Sequence, residues 1–157
     1  MEDRYLFRGK RIDNGKWVEG NLIQNPFFKG VRSWISSEQE DKIRLRSISR
    51  TQALWNSIEV DSSTICQCTG LNDKNGNLIW ENDIVKCVDE NNDIEFTAII
   101  EFGNPNRLYS WGYQLQHIKG DEPNLDILLW VDMEEAGATC KVIGNKFDNP
   151  KLLEVQE

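Results

Sequence analysis

The chain has 157 residues, of which 39% are apolar and 28% are charged. This composition is typical of a globular protein that folds as one domain or two small ones, and it excludes a disordered or collagen-like chain. Acidic residues outnumber basic ones 26 to 18, for a net charge of −8. This balance argues against a protein built mainly to coat nucleic acid or an anionic membrane.

The charges are unevenly distributed along the chain. Residues 1–56 hold 11 Lys and Arg against 7 Asp and Glu, whereas residues 57–157 hold 7 against 19. This asymmetry has three interpretations: a basic binding face ahead of an acidic partner domain, attraction between copies of the protein, or two solvated surfaces of different composition.

Neither a membrane span nor a secretory signal is predicted. The longest apolar runs, Ile127–Val131 and Ala98–Ile100, are far shorter than the roughly 18 residues that a spanning helix needs. The N-terminus lacks the basic and then apolar layout of a signal peptide. We therefore expect a cytoplasmic protein whose four cysteines stay reduced, and we expect no bond between Cys66 and Cys68.

Turn signals recur about every ten residues, which favours a mainly β protein. Asn14-Gly15 separates Tyr5–Arg8 from Trp17–Ile23 and predicts a first hairpin, because both turn positions tolerate a positive φ. A similar layout recurs where Asp73–Gly76 precedes Leu78–Val85. The second segment is therefore predicted to be another hairpin.

The clearest strand is Asp93–Phe102, in which apolar residues occupy alternate positions from Ile94 to Phe102. This alternation predicts a strand that buries one side only. Trp111, Tyr113 and Leu115 alternate with polar residues or glycine in the same way. The two strands are expected to pair across the intervening turn.

The sequence becomes helical from Asp121, and Gly137 is a suitable end for that helix. A buried strand at Ile127–Val131 is an open alternative. The last elements predicted are a strand at Thr139–Ile143, a turn at Gly144-Asn145 and one helical turn that begins at Pro150.

Three segments carry a family resemblance: Phe7–Gly20, Cys68–Gly76 continued by Glu81–Val85, and Val142–Leu153. In this order they resemble the YopX family of small phage and prophage proteins, over essentially the whole chain. One departure is Asn82, where the family usually has glycine. Asparagine also tolerates a left-handed turn, so this departure leaves the expected fold unchanged.

The resemblance implies a mainly β fold in which a small SH3-like barrel, at about 83–147, packs with an N-terminal β hairpin or sheet region. One or two short helices are expected near the C-terminus. The corresponding division is an N-terminal β region at 1–65 and a barrel region with a C-terminal helical turn at 66–157. The alternative is a single compact domain. The resemblance implies no known reaction, so it transfers no catalytic or ligand residues.

Few residues are suited to catalysis or to metal binding. His117 is the only histidine, and its position on the Tyr113 and Leu115 face predicts a hydrogen-bonded structural residue. Cys66-Gln67-Cys68 lacks the spacing of a zinc site, as do Cys87 and Cys140. We therefore predict that the protein is not an enzyme and has no cofactor, metal or catalytic residues.

A basic face is the candidate interaction surface. Lys42, Arg44 and Arg46 alternate with apolar residues, so a strand there would point three cations to one side, and Trp34 and Trp55 would add stacking surfaces. Acidic residues directly before this segment favour a solvated face instead. Any binding of nucleic acid is therefore expected to be weak.

The function predicted from the sequence is that of a phage or prophage accessory protein that binds other proteins. Self-association is the main expectation, and a host or phage protein is a further partner. Six tryptophans are many for a small barrel, so Trp34, Trp55 or Trp130 is expected to lie in an exposed patch at the contact between copies. The alternative is a monomer in which these rings lie between the barrel and the N-terminal strands. The alternative function is that of a nucleic-acid-binding module that uses Lys42, Arg44 and Arg46.

Overall fold

The computed structural model describes residues 5–25, 32–36, 57–107, 111–121, 126–131 and 137–154. The fold is mainly β, as predicted, and it divides into two compact units at Cys68 and Thr69. The strands are β1 (Phe7–Lys10), β2 (Trp17–Asn25), β3 (Arg32–Ser36), β4 (Ile58–Val60), β5 (Cys66–Asn72), β6 (Leu78–Trp80), β7 (Asp83–Asp89), β8 (Ile94–Gly103), β9 (Gly112–Gly120) and β10 (Ala138–Asn145).

The first unit contains the predicted N-terminal hairpin. Strands β1 and β2 are antiparallel, with Gly9 opposite Val18. Gly15 in the connecting turn has φ +69°, and the Asn14 side chain accepts a hydrogen bond from the Lys16 backbone N–H. The prediction from Asn14-Gly15 is confirmed, because the turn requires the left-handed conformation that glycine adopts without strain.

The sheet of the first unit curls back toward its own beginning. Among the described residues, the sheet has six strands in the order β4-β3-β2-β1-β5-β6, so β4 is an edge strand. The backbone of β4 nevertheless bonds to residues at and after the end of β1: Ile12 donates to Glu59, and Asp61 donates to Lys10. These bonds satisfy backbone groups that an open edge would leave exposed.

The interior of the first unit combines aliphatic side chains with a glycine and hydroxyl groups. Ile35 and Val60 are buried, and a Cβ added at Gly9 would lie 3.1 Å from the Val60 side chain. Ser33 is also buried, and its hydroxyl is 3.0 Å from the hydroxyl of Ser62. Close packing here depends on the missing side chain at Gly9.

The second unit is built on an open four-stranded antiparallel sheet of order β10-β7-β8-β9. A barrel closes only when its edge strands pair with each other. Strands β9 and β10 are the two edges, and no pairing joins them in the described part of residues 83–147. The SH3-like barrel expected there is therefore not confirmed: the strands are present, but they form no closed barrel.

The core of the second unit centres on β8. Phe96, Ala98 and Ile100 are buried on the face that the alternation predicts, and the Phe96 ring meets Trp130 edge to face at 4.8 Å. Thr97 and Ile99 on the opposite face are buried as well. The prediction that β8 buries one side only is therefore wrong in the middle of the strand.

The predicted pairing of β8 with β9 is confirmed, with Ile100 opposite Leu115. At residues 128–131 the structure has a helix, α1 (Leu128–Val131), so the alternative of a buried strand at Ile127–Val131 is wrong. The final strand is confirmed and is longer than expected. Gly144 and Asn145 lie within it and form no separate turn, because a bulge after Val142 extends the pairing with β7.

Two acidic or amide side chains fix the turns before β7. Asp73 is 5% exposed, and its carboxylate accepts hydrogen bonds from the backbone N–H groups of Asn75, Asn77 and Val142. Asn82 has φ +67°, which confirms that asparagine takes the left-handed conformation at this position. The helical turn predicted from Pro150 is also present, as a 3-10 helix at Pro150–Leu153.

In the part of the chain that the structure describes, no helix has the length and apolar character needed to cross a membrane.

Candidate interaction surfaces

Three aromatic side chains lie at the loop end of the β8–β9 hairpin, and two of them are in ring contact. Trp111 is 79% exposed and Phe102 is 59% exposed, while Tyr113 is half-buried. Phe102 and Tyr113 lie opposite each other in the register, with ring centroids 5.1 Å apart. We call Phe102, Trp111 and Tyr113 the aromatic surface.

Phe102 and Tyr113 continue the core face of the sheet beyond the core itself. Phe102 follows Ala98 and Ile100 at alternate positions of β8, so it lies on the same face, but it is exposed. Next to it, Gly103 lies opposite Gly112 and adds no side chain. The Trp111 ring is 3.7 Å from the place where a Cβ of Gly103 would be, so the ring covers this bare backbone.

A second feature lies on the sheet of the first unit, where two cations stack on one tryptophan. The Arg8 guanidinium is 4.7 Å from the Trp17 ring centroid, and the Lys10 ammonium is 5.5 Å from it. Alternation places Arg8 and Lys10 on one face of β1, and Lys10 is directly opposite Trp17 on β2. Each cation–π contact contributes about 0.5–1 kcal/mol at such partly exposed sites.

A cleft of about 580 Å³ lies beside the end of β1 in the same unit. Its walls carry three cations and two carboxylates, together with smaller residues: Lys10, Arg11, Ile12, Gly15, Arg32, Glu59, Val60, Asp61 and Ser62.

Two of the three cations of this cleft lie beside carboxylates. Arg11 donates two hydrogen bonds to Asp13, at 2.9 and 2.6 Å, and this contact lowers the pKa of that carboxyl below its ordinary value. Arg32 lies 3.9 Å from Glu59. The arrangement is a nearly charge-balanced wall, which offers a polyanion little unpaired positive charge.

Comparison with known proteins identifies the family. A family model described as YopX protein matches residues 6–154. The chain belongs to the YopX family. A search of curated proteins gave no match to this YopX family member. Because the family match spans both units, it confirms the resemblance that the sequence motifs indicated.

The residues expected at the interaction surface are only partly placed by the structure. Trp34 lies in β3, half-buried and opposite Glu59. The other four expected residues lie outside the described residues, so the basic face stays a prediction: Lys42, Arg44, Arg46 and Trp55.

Trp130, the third candidate for an exposed patch, is 5% exposed and packs against Phe96 in the core. The expectation that Trp130 lies at the surface is therefore wrong. Alternation predicts that Trp111 lies on a half-buried strand face, but its ring is 79% exposed. The adjacent Gly112 is a local signal, because glycine weakens a strand.

The four cysteines are buried thiols that form no disulfide with one another. The described residues contain no group of three or more His, Cys, Asp or Glu side chains suited to a metal ion. The His117 Nε2 atom is buried and has no hydrogen-bond partner among the residues that the structure describes; its ring lies 6.3 Å from the Phe96 ring between centroids. The expected hydrogen bond of His117 is therefore not found at this nitrogen.

Proposed function

We propose that the chain is a non-enzymatic binding protein whose principal partner is a second copy of itself. The observation that carries this proposal is the aromatic surface. Tryptophan and tyrosine dominate the binding energy of protein interfaces, and the exposed rings of Trp111 and Phe102 offer a partner apolar area. The proposed contact is centred on Trp111, the most exposed of the three rings.

Charge supports a second copy as the partner. The first unit, residues 1–68, carries 11 basic and 9 acidic residues, whereas residues 69–157 carry 7 and 17. The aromatic surface belongs to the acidic unit, so a basic unit of another copy is electrostatically complementary to it. Contacts of unlike units generate either a closed two-fold dimer or a head-to-tail ring.

The biological setting follows the family resemblance. The resemblance to the YopX family implies an accessory protein of a phage or prophage. We therefore propose that this chain acts in the cytoplasm of a host cell, where a host or phage protein is a further partner. Nucleic-acid binding is the second candidate function, and it rests on the three alternating cations at Lys42, Arg44 and Arg46. The charge-balanced cleft favours only weak, salt-sensitive binding to nucleic acid.

Sedimentation equilibrium on the full chain tests self-association. We expect a mass of at least twice the 18.2 kDa of one chain at tens of micromolar in low salt, and a lower mass in high salt because the charge attraction is screened. Trp111→Ala is expected to shift the protein toward the monomer. Leu153→Ala removes another exposed apolar side chain of the same unit and serves as the matched control, with an unchanged mass.

A monomer at both salt concentrations would exclude self-association as the function. An oligomer that Trp111→Ala leaves intact would keep self-association but exclude the aromatic surface as its contact. For the second candidate function, fluorescence anisotropy with a labelled oligonucleotide is the direct measurement. Tight binding at physiological salt that Arg44→Glu with Arg46→Glu abolishes would favour nucleic acid over a second copy.

A further inference from the structure

Two cysteines that are 53 positions apart in the sequence lie directly opposite each other in the sheet of the second unit. Cys87 in β7 pairs with Cys140 in β10 in the antiparallel register. Both side chains belong to the buried core, with 0% and 2% of their surface exposed. The neighbouring Cys140 thiol, ahead of burial, raises the pKa of Cys87.

Backbone hydrogen bonds fix which kind of cross-strand pair this is. The Cys140 carbonyl accepts from Lys74, and the N–H of Val142 donates to Asp73, so both residues point their backbone groups away from β7. Gly137, of the opposite parity, accepts from Glu90 at the start of the β7–β8 turn. Cys87 and Cys140 are therefore a non-hydrogen-bonded pair of the antiparallel ladder.

This class of pair brings Cα atoms to about 4.5 Å, closer than the 5.5 Å of a hydrogen-bonded pair. Disulfides span Cα distances of about 4.4–6.8 Å, so a bond between these strands needs little backbone movement. A bond between two strands that are already paired is reversible through thiol–disulfide exchange. Cys66 and Cys68 are different, because they lie two residues apart on one strand and do not face each other across a pair of strands.

We propose that Cys87 and Cys140 form a reversible dithiol–disulfide couple that a small disulfide such as oxidised glutathione oxidises. One cysteine thiolate attacks the glutathione disulfide, forms a mixed disulfide and releases one glutathione thiolate. The second cysteine thiolate then attacks the protein sulfur of the mixed disulfide and releases the second glutathione. The two cysteine protons end on the two glutathione thiols, so the protein loses two hydrogen atoms and gains one S–S bond.

Access to the pair depends on the edge of the sheet. Strand β10 is an edge strand, and the 73–77 turn covers its outer side through the bonds of Asp73 and Lys74. Local opening of this edge exposes both thiols without unfolding β8 and β9. Oxidation is therefore expected to be slow in the intact protein and faster when the turn is loosened.

The experiment equilibrates the reduced full chain in glutathione buffers of increasing oxidised fraction, then traps free thiols by alkylation under denaturing conditions. We expect two of the four thiols to disappear together, an intramolecular Cys87–Cys140 peptide in the mass spectrum, and full reversal by reduced glutathione. A Cys66→Ala and Cys68→Ala double variant is expected to keep this transition, and Cys87→Ala is expected to lose it. Asp73→Ala is expected to speed oxidation several-fold without changing which thiols react.

Four thiols that stay alkylatable in the most oxidising buffer would overturn the proposal. So would a bond between Cys66 and Cys68, a stable glutathione adduct, or a mixture of connectivities. Because Asp73→Ala keeps all four cysteines, it also tests the couple if the Cys87→Ala chain does not fold. This couple lies outside the aromatic surface, and its test does not depend on self-association.

Discussion

The two units are stabilised by different kinds of side chain. Among the described residues of the second unit, eleven buried apolar side chains form one core around Phe96 and Ile100. In the described part of the first unit the buried aliphatic side chains are Ile35 and Val60, and hydroxyl bonds such as Ser33 to Ser62 and the close approach of Gly9 to Val60 add to their packing. Large apolar side chains leave an alternating pattern in a sequence, whereas close backbone approach and hydroxyl pairs leave none.

Truncation of the second unit's core is expected to give the largest effect. Phe96→Ala removes a ring that is 1% exposed and packs on Trp130, so it should lower the free energy of unfolding by about 3–5 kcal/mol. Denaturant unfolding monitored by tryptophan fluorescence measures this change. Phe102→Ala, on the same face of the same strand but exposed, is the matched control with a small effect; equal losses for the two variants would contradict the assigned core.

The next effect concerns the buried carboxylate that holds the edge of the same sheet. Asp73→Ala removes the acceptor of three backbone N–H groups and should cost about 2–3 kcal/mol of unfolding free energy. Asp89 caps the exposed β7–β8 turn in a similar way, so Asp89→Ala is the matched control. An Asp89 variant as unstable as the Asp73 variant would contradict the importance of burial.

Asp73 also predicts how stability depends on pH. Burial raises the pKa of its carboxyl, but the hydrogen bonds from Asn77, Val142 and Asn75 outweigh burial and hold the pKa below its ordinary value. The stabilisation is therefore fully present above the unfolded-state pKa of about 3.9 and is lost as the pH falls through the lower folded-state pKa. Asp73→Asn should flatten this acid limb in unfolding curves measured between pH 2 and 6; an unchanged limb would assign it to other carboxylates.

In the first unit, the sharpest change is the addition of one methyl group. Gly9→Ala places a Cβ 3.1 Å from the Val60 side chain, tighter than ordinary packing, and should cost about 1–2 kcal/mol of unfolding free energy. Gly112→Ala meets nothing within 4 Å and is the control in the second unit. If Gly9→Ala were neutral, the first unit would not depend on the close approach described above.

The same contrast explains what the sequence could predict. Strand β8, the Asn14-Gly15 hairpin and the left-handed Asn82 each follow from local pattern or turn chemistry, and the structure has all three. The pairing of β10 with β7 joins residues 49 to 62 positions apart, so no local pattern shows that Cys87 faces Cys140. The aromatic surface was missed for a related reason: alternation assigns Phe102 to the core face but does not show where along the strand the core ends.

The most direct test of the proposed self-association follows each tryptophan separately. The chain is labelled with 5-fluorotryptophan, which gives one fluorine resonance for each of the six tryptophans, and Trp111→Phe and Trp130→Phe assign two of them. On dilution from hundreds of micromolar to a few micromolar, the Trp111 resonance should move as the contact dissociates, while that of the buried Trp130 stays fixed. A Trp111 resonance that is the same at every concentration would contradict the account.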